Sequence, residues 1–214
     1  MRYYLVIFII GFLLPGVKAQ SVFKRELNIG LSQGAIASRM VFDPHVSQDL
    51  FYGYTGGLMV RFISESQLGI QLEVNYMQRG WLEETKTSGT YKRSQEMLTI
   101  PLMTHIYFGR KTKMRFQVTL GPYVGYLLKD AEEIHVADPG EYRDYYGKET
   151  ARRLEFGFTG GISAAIRTRI GIFELEPRYS HCLTNMFKPG NEEFIYLGSR
   201  PHAISLSLHY LVTM

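Results

Sequence analysis

The stretch Met97–Leu128, MLTIPLMTHIYFGRKTKMRFQVTLGPYVGYLL, constrains the fold more than any other part of this chain. In its first run, Leu98, Ile100, Leu102, Thr104, Ile106 and Phe108 share one face, and Thr99, Pro101, Met103, His105 and Tyr107 share the other. In its second run, Phe116, Val118, Leu120, Pro122, Val124, Tyr126 and Leu128 oppose Arg115, Gln117, Thr119, Gly121, Tyr123 and Gly125. Successive side chains of a strand point to opposite faces, so this is a period-two β signal. Both runs exceed the usual strand of about 5–6 residues. Strands of roughly ten residues, apolar on one side and mixed on the other, are what a membrane-crossing barrel requires.

The pattern recurs, giving eight segments. The others are Glu26–Ala37, Tyr52–Ile63, Leu68–Met77, Leu154–Arg167, Gly171–Leu183 and Arg200–Val212. Between them, Ser64–Gln67, Gly109–Lys113 and Thr168–Ile170 are tight, whereas Arg39–Phe51, Gln78–Glu96, Lys129–Arg153 and Thr184–Ser199 are long and polar. Short and long connections alternate, as expected when every second turn lies on the same rim. The expected fold is all-β: an eight-stranded antiparallel transmembrane barrel with short periplasmic turns and long extracellular loops.

Residues 1–19 read as a secretory signal peptide, with Arg2 as the positive start, Leu5–Leu14 as the apolar core and Val17-Lys18-Ala19 as the cleavage site. The mature barrel domain then covers residues 20–214, exported and placed in the outer membrane. The chain's 214 residues carry a formal charge of +4, to which Arg2 and Lys18 of the leader contribute. No basic block interleaved with aromatics argues for nucleic acid. A single cysteine, Cys182, excludes a disulfide framework and cysteine-based zinc motifs.

Strand direction supplies a further test, because aromatic rings favour the membrane interface. Tyr54, Tyr76, Tyr126, Phe156 and Tyr179 fall near the outer ends of the segments, and Phe62, Phe108, Phe116, Phe173 and Tyr210 near the periplasmic ends. Leu, Ile and Val fill the levels between. That is two girdles around an aliphatic band.

Several short motifs now acquire a context. Tyr76-Met77-Gln78-Arg79-Gly80 resembles the Tyr-x-x-Lys/Arg-Gly strand end of the PorT-like outer-membrane β-barrel family of Bacteroidota. Leu98-Thr99-Ile100-Pro101-Leu102 resembles its Ile-Pro-Leu strand and Gly121-Pro122-Tyr123-Val124-Gly125 its Gly-Pro-Tyr segment. Arg178-Tyr179-Ser180 with Leu183-Thr184-Asn185 resembles its seventh strand. The resemblance implies a small outer-membrane barrel; the family name refers to a secretion accessory, a role not carried over to this chain.

The lumen-facing positions include Arg61, Glu73, Arg115, Glu155, Arg167, Glu174, Glu176 and Arg178. Four charges of each sign inside an eight-stranded barrel, whose interior is only wide enough for side chains to fill, predict a salt-bridged plug rather than a selective pore. Ser205, Ser207 and His209 share a face and invite a lipid-hydrolase reading. No carboxylate in sequence is placed to orient His209, and a triad needs that third group. The stretch Lys129–Arg153 carries Asp130, Glu132, Glu133, Asp138, Glu141 and Asp144 beside Tyr142, Tyr145 and Tyr146, without the spacing of a calcium loop, so a solvated loop is expected. His45, His105, His135, His181 and His202 show no metal spacing. The glycine pairs Gly56-Gly57 and Gly160-Gly161 fall inside strands and suit barrel curvature, not phosphate binding.

The expectation is therefore non-enzymatic, with no catalytic residue, metal or cofactor. The partners expected are the outer-membrane bilayer and an envelope protein of unknown identity, engaged by loops or the periplasmic rim, in secretion, adhesion or envelope maintenance. A lipid-modifying hydrolase is the alternative. A narrow pore and a soluble lipocalin-like barrel stand behind both.

Overall fold

A computed structural model describes residues 25–85, 89–108, 114–136, 138–188 and 198–214; the leader and the turn at 109–113 lie outside them. Eight strands form: β1 (Glu26–Asp43), β2 (Phe51–Ile63), β3 (Leu68–Glu84), β4 (Thr90–Phe108), β5 (Met114–His135), β6 (Leu154–Arg167), β7 (Ile172–Cys182) and β8 (Gly198–Thr213). Each pairs antiparallel with the next, and β8 returns to pair with β1, from Asn28 opposite Thr213 to Asp43 opposite Gly198. The ring is closed, so no edge is left to recruit another chain.

Alternation in sequence becomes alternation in space. Along β3, Gly69, Gln71, Glu73 and Asn75 are buried while Leu68, Ile70, Leu72 and Val74 are exposed. The exterior is a continuous apolar surface: Leu31 is 57% exposed, Leu120 63%, Ile162 62% and Ile204 61%. Soluble proteins rarely expose a contiguous apolar patch beyond a few hundred Å². This surface is solvated by hydrocarbon.

The expected girdles are present on it. Tyr54 and Tyr76 lie with ring centroids 5.7 Å apart at the level of the long loops. At the other end, Phe173 and Tyr210 lie 5.0 Å apart, and Phe108 pairs in register with Phe116.

A closed ring has no edge to host a proline, which lacks the N–H a ladder needs. The molecule accommodates three of them by local breaks. Pairing between β3 and β4 jumps from Leu72–Leu102 to Asn75–Thr99 around Pro101. Between β4 and β5 it skips from Pro101–Tyr123 to Thr104–Leu120 beside Pro122, and between β6 and β7 from Gly161–Arg178 to Ala164–Leu175 beside Pro177.

The loops differ from expectation on one side. Gln78–Glu96 is not a long loop: β3 and β4 stay paired from Gln78–Glu96 out to Glu84–Thr90. Likewise β5 continues to His135 and β1 to Asp43. Beyond the hydrocarbon the outward positions (Gln78, Glu84, Lys92, Glu96) are polar, so hydrophobic alternation fades while the ladder continues. The tight turns at 64–67 and 168–171 hold as expected, the second closed by Thr168 N–H donating to Gly171 C=O at 2.8 Å.

These extensions carry a second core. Met40, Phe42, Val46, Trp81, Tyr91, Tyr145, Tyr146, Met186 and Phe187 pack together at the long-loop end of the ring. They come from strands β1, β3 and β4 and from three loops, so they close its mouth. The solvated-loop expectation for Lys129–Arg153 is thereby corrected. Tyr145 is fully buried, stacked on Phe42 at 4.5 Å, and Tyr146 is stacked on Tyr91 at 4.0 Å. Dispersion and apolar burial of rings outweigh the loop's acidic composition.

Candidate functional site

Lumen side chains form ion-pair layers stacked along the barrel axis. In the central layer, Arg61 donates through Nη1 and Nη2 to Glu174 at 2.7 and 3.1 Å. Arg178 donates to Glu73 at 2.8 and 2.7 Å and to Glu176 at 2.9 Å. Gln71 ties the halves together, accepting from Arg61 Nε and donating to Glu73. Asn75 donates to Glu73 at 2.6 Å and Thr119 to Glu176 at 2.6 Å. All three carboxylates are essentially inaccessible to solvent. Isolated buried charges of this kind would be prohibitive; bidentate pairing and neutral donors make the layer tenable.

Glycines create the space for it. A Cβ on Gly57 would sit 2.2 Å from Asn75 Oδ1, and one on Gly161 would sit 2.8 Å from Glu176 Oε1. Close approach of the polar layer, besides curvature, explains these two positions.

A second layer lies toward the long loops, where Arg79 donates to Glu155 at 2.8 and 2.5 Å and to Gln95 at 3.2 Å. At the short-turn end Arg167 pairs with Glu26, and half-buried Arg115 lies beside Tyr107 and Gln117. All eight lumen residues expected from sequence thus point inward. Six of them, Arg61, Glu73, Glu155, Glu174, Glu176 and Arg178, make buried pairs. Sequence reasoning missed Arg79 and Glu26, and gave Gln71 its inward face but no part in the ion-pair layer. The signal for Arg79 was available: it continues the inward series Asn75, Met77, Arg79 at period two.

Between the two layers lies a void of about 40 Å³ open to water centres, room for a few waters. Its lining includes Arg79, Thr99, Pro101, Tyr123, Arg178 and Ser180. Each of the four motif stretches singled out in the sequence contributes to it, so those motifs build one place in the fold.

The cap above has its own polar centre. Glu83, buried, accepts from Trp81 Nε1 at 2.7 Å, Tyr145 hydroxyl at 2.6 Å, Tyr146 hydroxyl at 3.1 Å and Arg143 Nε at 3.1 Å. Burial, together with the Glu83 charge, pushes both tyrosine phenols above their ordinary range. Arg93 donates to Asp130 at 2.9 and 2.6 Å and lies 5.9 Å over the Trp81 ring and 5.2 Å over Phe187. Long-range pairs and stacked rings fix this cap to the barrel.

Two histidine readings need correction. His209 does have a carboxylate beside it: Nε2 lies 3.2 Å from Glu176 Oε2, and Ser207 is opposite Glu176 in register. Glu174, Glu176 and His209 also bring potential metal-ligand atoms within 4.8 Å of one another. The partner strand β7 was invisible to one-dimensional spacing. Both carboxylates already hold guanidinium groups, and His209 is 1% exposed. The other correction concerns His181 and His202, which meet across β7 and β8 with centroids 4.4 Å apart.

A closed eight-stranded ring with an apolar exterior, aromatic girdles and an ion-paired lumen defines an outer-membrane-type barrel. The chain matches the family described as outer membrane protein beta-barrel domain over residues 18–188 and belongs to that family. It is a small integral barrel of the outer membrane. Among curated proteins, none matches it. Solved structures similar to it include OprG of Pseudomonas aeruginosa, at 9% identity, covering 88% of this chain and 95% of that one, with a TM-score of 0.46. Ail, the attachment invasion locus protein of Yersinia pestis, is 11% identical over 87% of this chain and 99% of its own, with a TM-score of 0.46. Neisserial surface protein A is 10% identical over 85% and 96%, with a TM-score of 0.42.

Proposed function

We propose that this chain is a non-enzymatic, PorT-like barrel of the Bacteroidota kind, whose folded extracellular cap engages an envelope protein in secretion, adhesion or envelope maintenance. The observation that carries this reading is the aromatic cap. Strands β1, β3, β4 and β5 project beyond the apolar band and, with three loops, enclose a core of nine buried residues. A barrel that served only to span the membrane would need no second core outside it. A presented, pre-organised surface is what protein recognition requires. Four motif stretches shared with the PorT-like pattern support the finer family assignment, and no cofactor or nucleic acid enters the reading.

The test is a photocrosslinker at Tyr142, which is 52% exposed beside the cap, followed by capture from native outer membranes. A stoichiometric protein adduct is expected. Recovery of the barrel alone would overturn the reading.

The second reading, a lipid-modifying hydrolase, rests on the Glu176–His209 contact beside Ser207. Replacing Ser207 by Ala and His209 by Gln should leave lipid A mass spectra unchanged if the first reading holds. A changed acylation pattern would favour the enzyme.

A further inference from the structure

Charge on the outer face of the rim is unevenly distributed. On β4 and β5 it neutralises itself: Lys92 lies 3.0 Å from Glu133 and Lys129 lies 3.8 Å from Glu96. On β7, β8 and β1 it does not. Arg39 and His202 are directly opposite in the β1–β8 ladder, and Arg200 is opposite Val41 on the same outward face. His181 faces His202 from β7, and the Tyr179 hydroxyl contacts His202 Nδ1. Arg200 Nε donates to Asn185 Oδ1 at 3.2 Å, which accounts for that nitrogen alone. Among the described residues, no carboxylate pairs with Arg39 or Arg200; the outward Asp43 lies four residues above Arg39 and makes no ion pair with it. Among the described residues, two guanidiniums, two imidazoles and a phenol therefore converge with no carboxylate ion-paired to them; Asp43, the nearest outward acid on β1, is unpaired with either arginine.

The cluster sits at the upper limit of the apolar band. Directly below Arg39 on the same face come Ala37, Ala35 and Gln33 of β1, with Gly56 of β2 opposite Gln33. Ala37, Ala35 and Gly56 are small and run between taller walls: Tyr52, Tyr54 and Leu58 on β2 (75%, 55% and 61% exposed) and Ile204, Leu206 and Leu208 on β8 (61%, 52% and 56% exposed), with Gln33 at the lower end. Low side chains between tall ones make a furrow below the cationic cluster, about 13 Å long from Ala37 to Gln33 at the rise of a strand.

We propose that this face binds a phosphate-bearing lipid of the outer leaflet, its headgroup on Arg39, Arg200 and the two imidazoles and one acyl chain in the Ala37–Gln33 furrow. Guanidinium forks match phosphate oxygens, and cations at the membrane surface attract anionic lipid. The furrow commits the site to a lipid: a free anion would use the cluster and ignore the groove.

The full-length protein, purified in detergent, is delipidated and then incubated with mixed phosphatidic acid and phosphatidylcholine, and the retained lipid is counted by native mass spectrometry. Wild type should retain phosphatidic acid preferentially, and R39A/R200A should lose roughly thirtyfold in apparent affinity. A37W, which fills the furrow without touching charge, should weaken retention, while K92A/K129A on the self-neutralised side should match wild type. Unboiled electrophoretic mobility verifies that each variant is a folded barrel. Undiminished retention by R39A/R200A overturns the proposal. So does displacement of phosphatidic acid by inorganic phosphate with A37W behaving as wild type, which would mark a site for free anions.

Discussion

Arg178 lies between Glu73 and Glu176, its guanidinium donating to the first at 2.7 and 2.8 Å and to the second at 2.9 Å. Glu73 belongs to β3 and Glu176 to β7, on far sides of the ring. One side chain therefore holds together carboxylates that would otherwise repel across the lumen.

Replacing Arg178 by Met should cost about 3–5 kcal/mol, because two buried carboxylates lose their counter-charge. Urea unfolding of the reconstituted barrel, followed by electrophoretic mobility, measures it. Adding Glu73→Gln and Glu176→Gln should restore much of the loss, since the residual layer is then neutral. No recovery would mean that the arginine acts through packing alone.

Leu72 faces lipid near mid-band, and Leu72→Arg should cost roughly 2–4 kcal/mol and reduce assembled barrel in the membrane. Its neighbour Gln71 is a poor control, because it bridges Arg61 and Glu73. Glu84→Arg is the better one: outward on the same strand but beyond the apolar band, it should leave assembly unchanged. Equal yields from the two would refute the facing assignment.

Glu83→Ala removes the acceptor shared by Trp81, Tyr145, Tyr146 and Arg143. Each stranded buried donor costs about 1–3 kcal/mol. The cap should loosen while the membrane ladder persists. Trypsin added to whole cells should cut at Lys148, Arg152 or Arg153 much faster than in wild type, with unboiled mobility preserved.

Alkali should act on the same element. The phenols of Tyr145 and Tyr146 are raised above the ordinary value of 10.0 in the folded cap. A raised value means that the folded state holds its protons more tightly, so this stabilisation is complete below pH 10 and is lost as pH rises above it. Trypsin sensitivity of the cap should therefore increase above about pH 10. Tyr145→Phe should flatten that rise.

Much of this molecule was legible in its sequence because a barrel's physics is periodic. Leu68, Ile70 and Leu72 had to face away from Gln71 and Glu73, and direction sorted Tyr54 and Phe62 to opposite rims. What was not legible has three physical causes. Past the hydrocarbon, outward residues such as Lys92 and Glu96 are polar, so hydrophobic alternation carries no sign that β3 and β4 continue through Glu83 and Arg93. Partners on other strands depend on register and closure, which no spacing within one strand encodes. Glu176 beside His209, Arg79 beside Glu155 and His181 beside His202 all belong to that class. Tyr145 and Tyr146 were hidden for a third reason: their loop's acidic composition masked residues that pack inward.

The barrel is closed along its lumen by ion pairs and at its mouth by rings. Single-channel recording of the purified protein in planar bilayers tests it most directly. No conductance steps above the bilayer background are expected, at either polarity. Stable, reproducible unit conductance from the wild-type barrel would contradict the account.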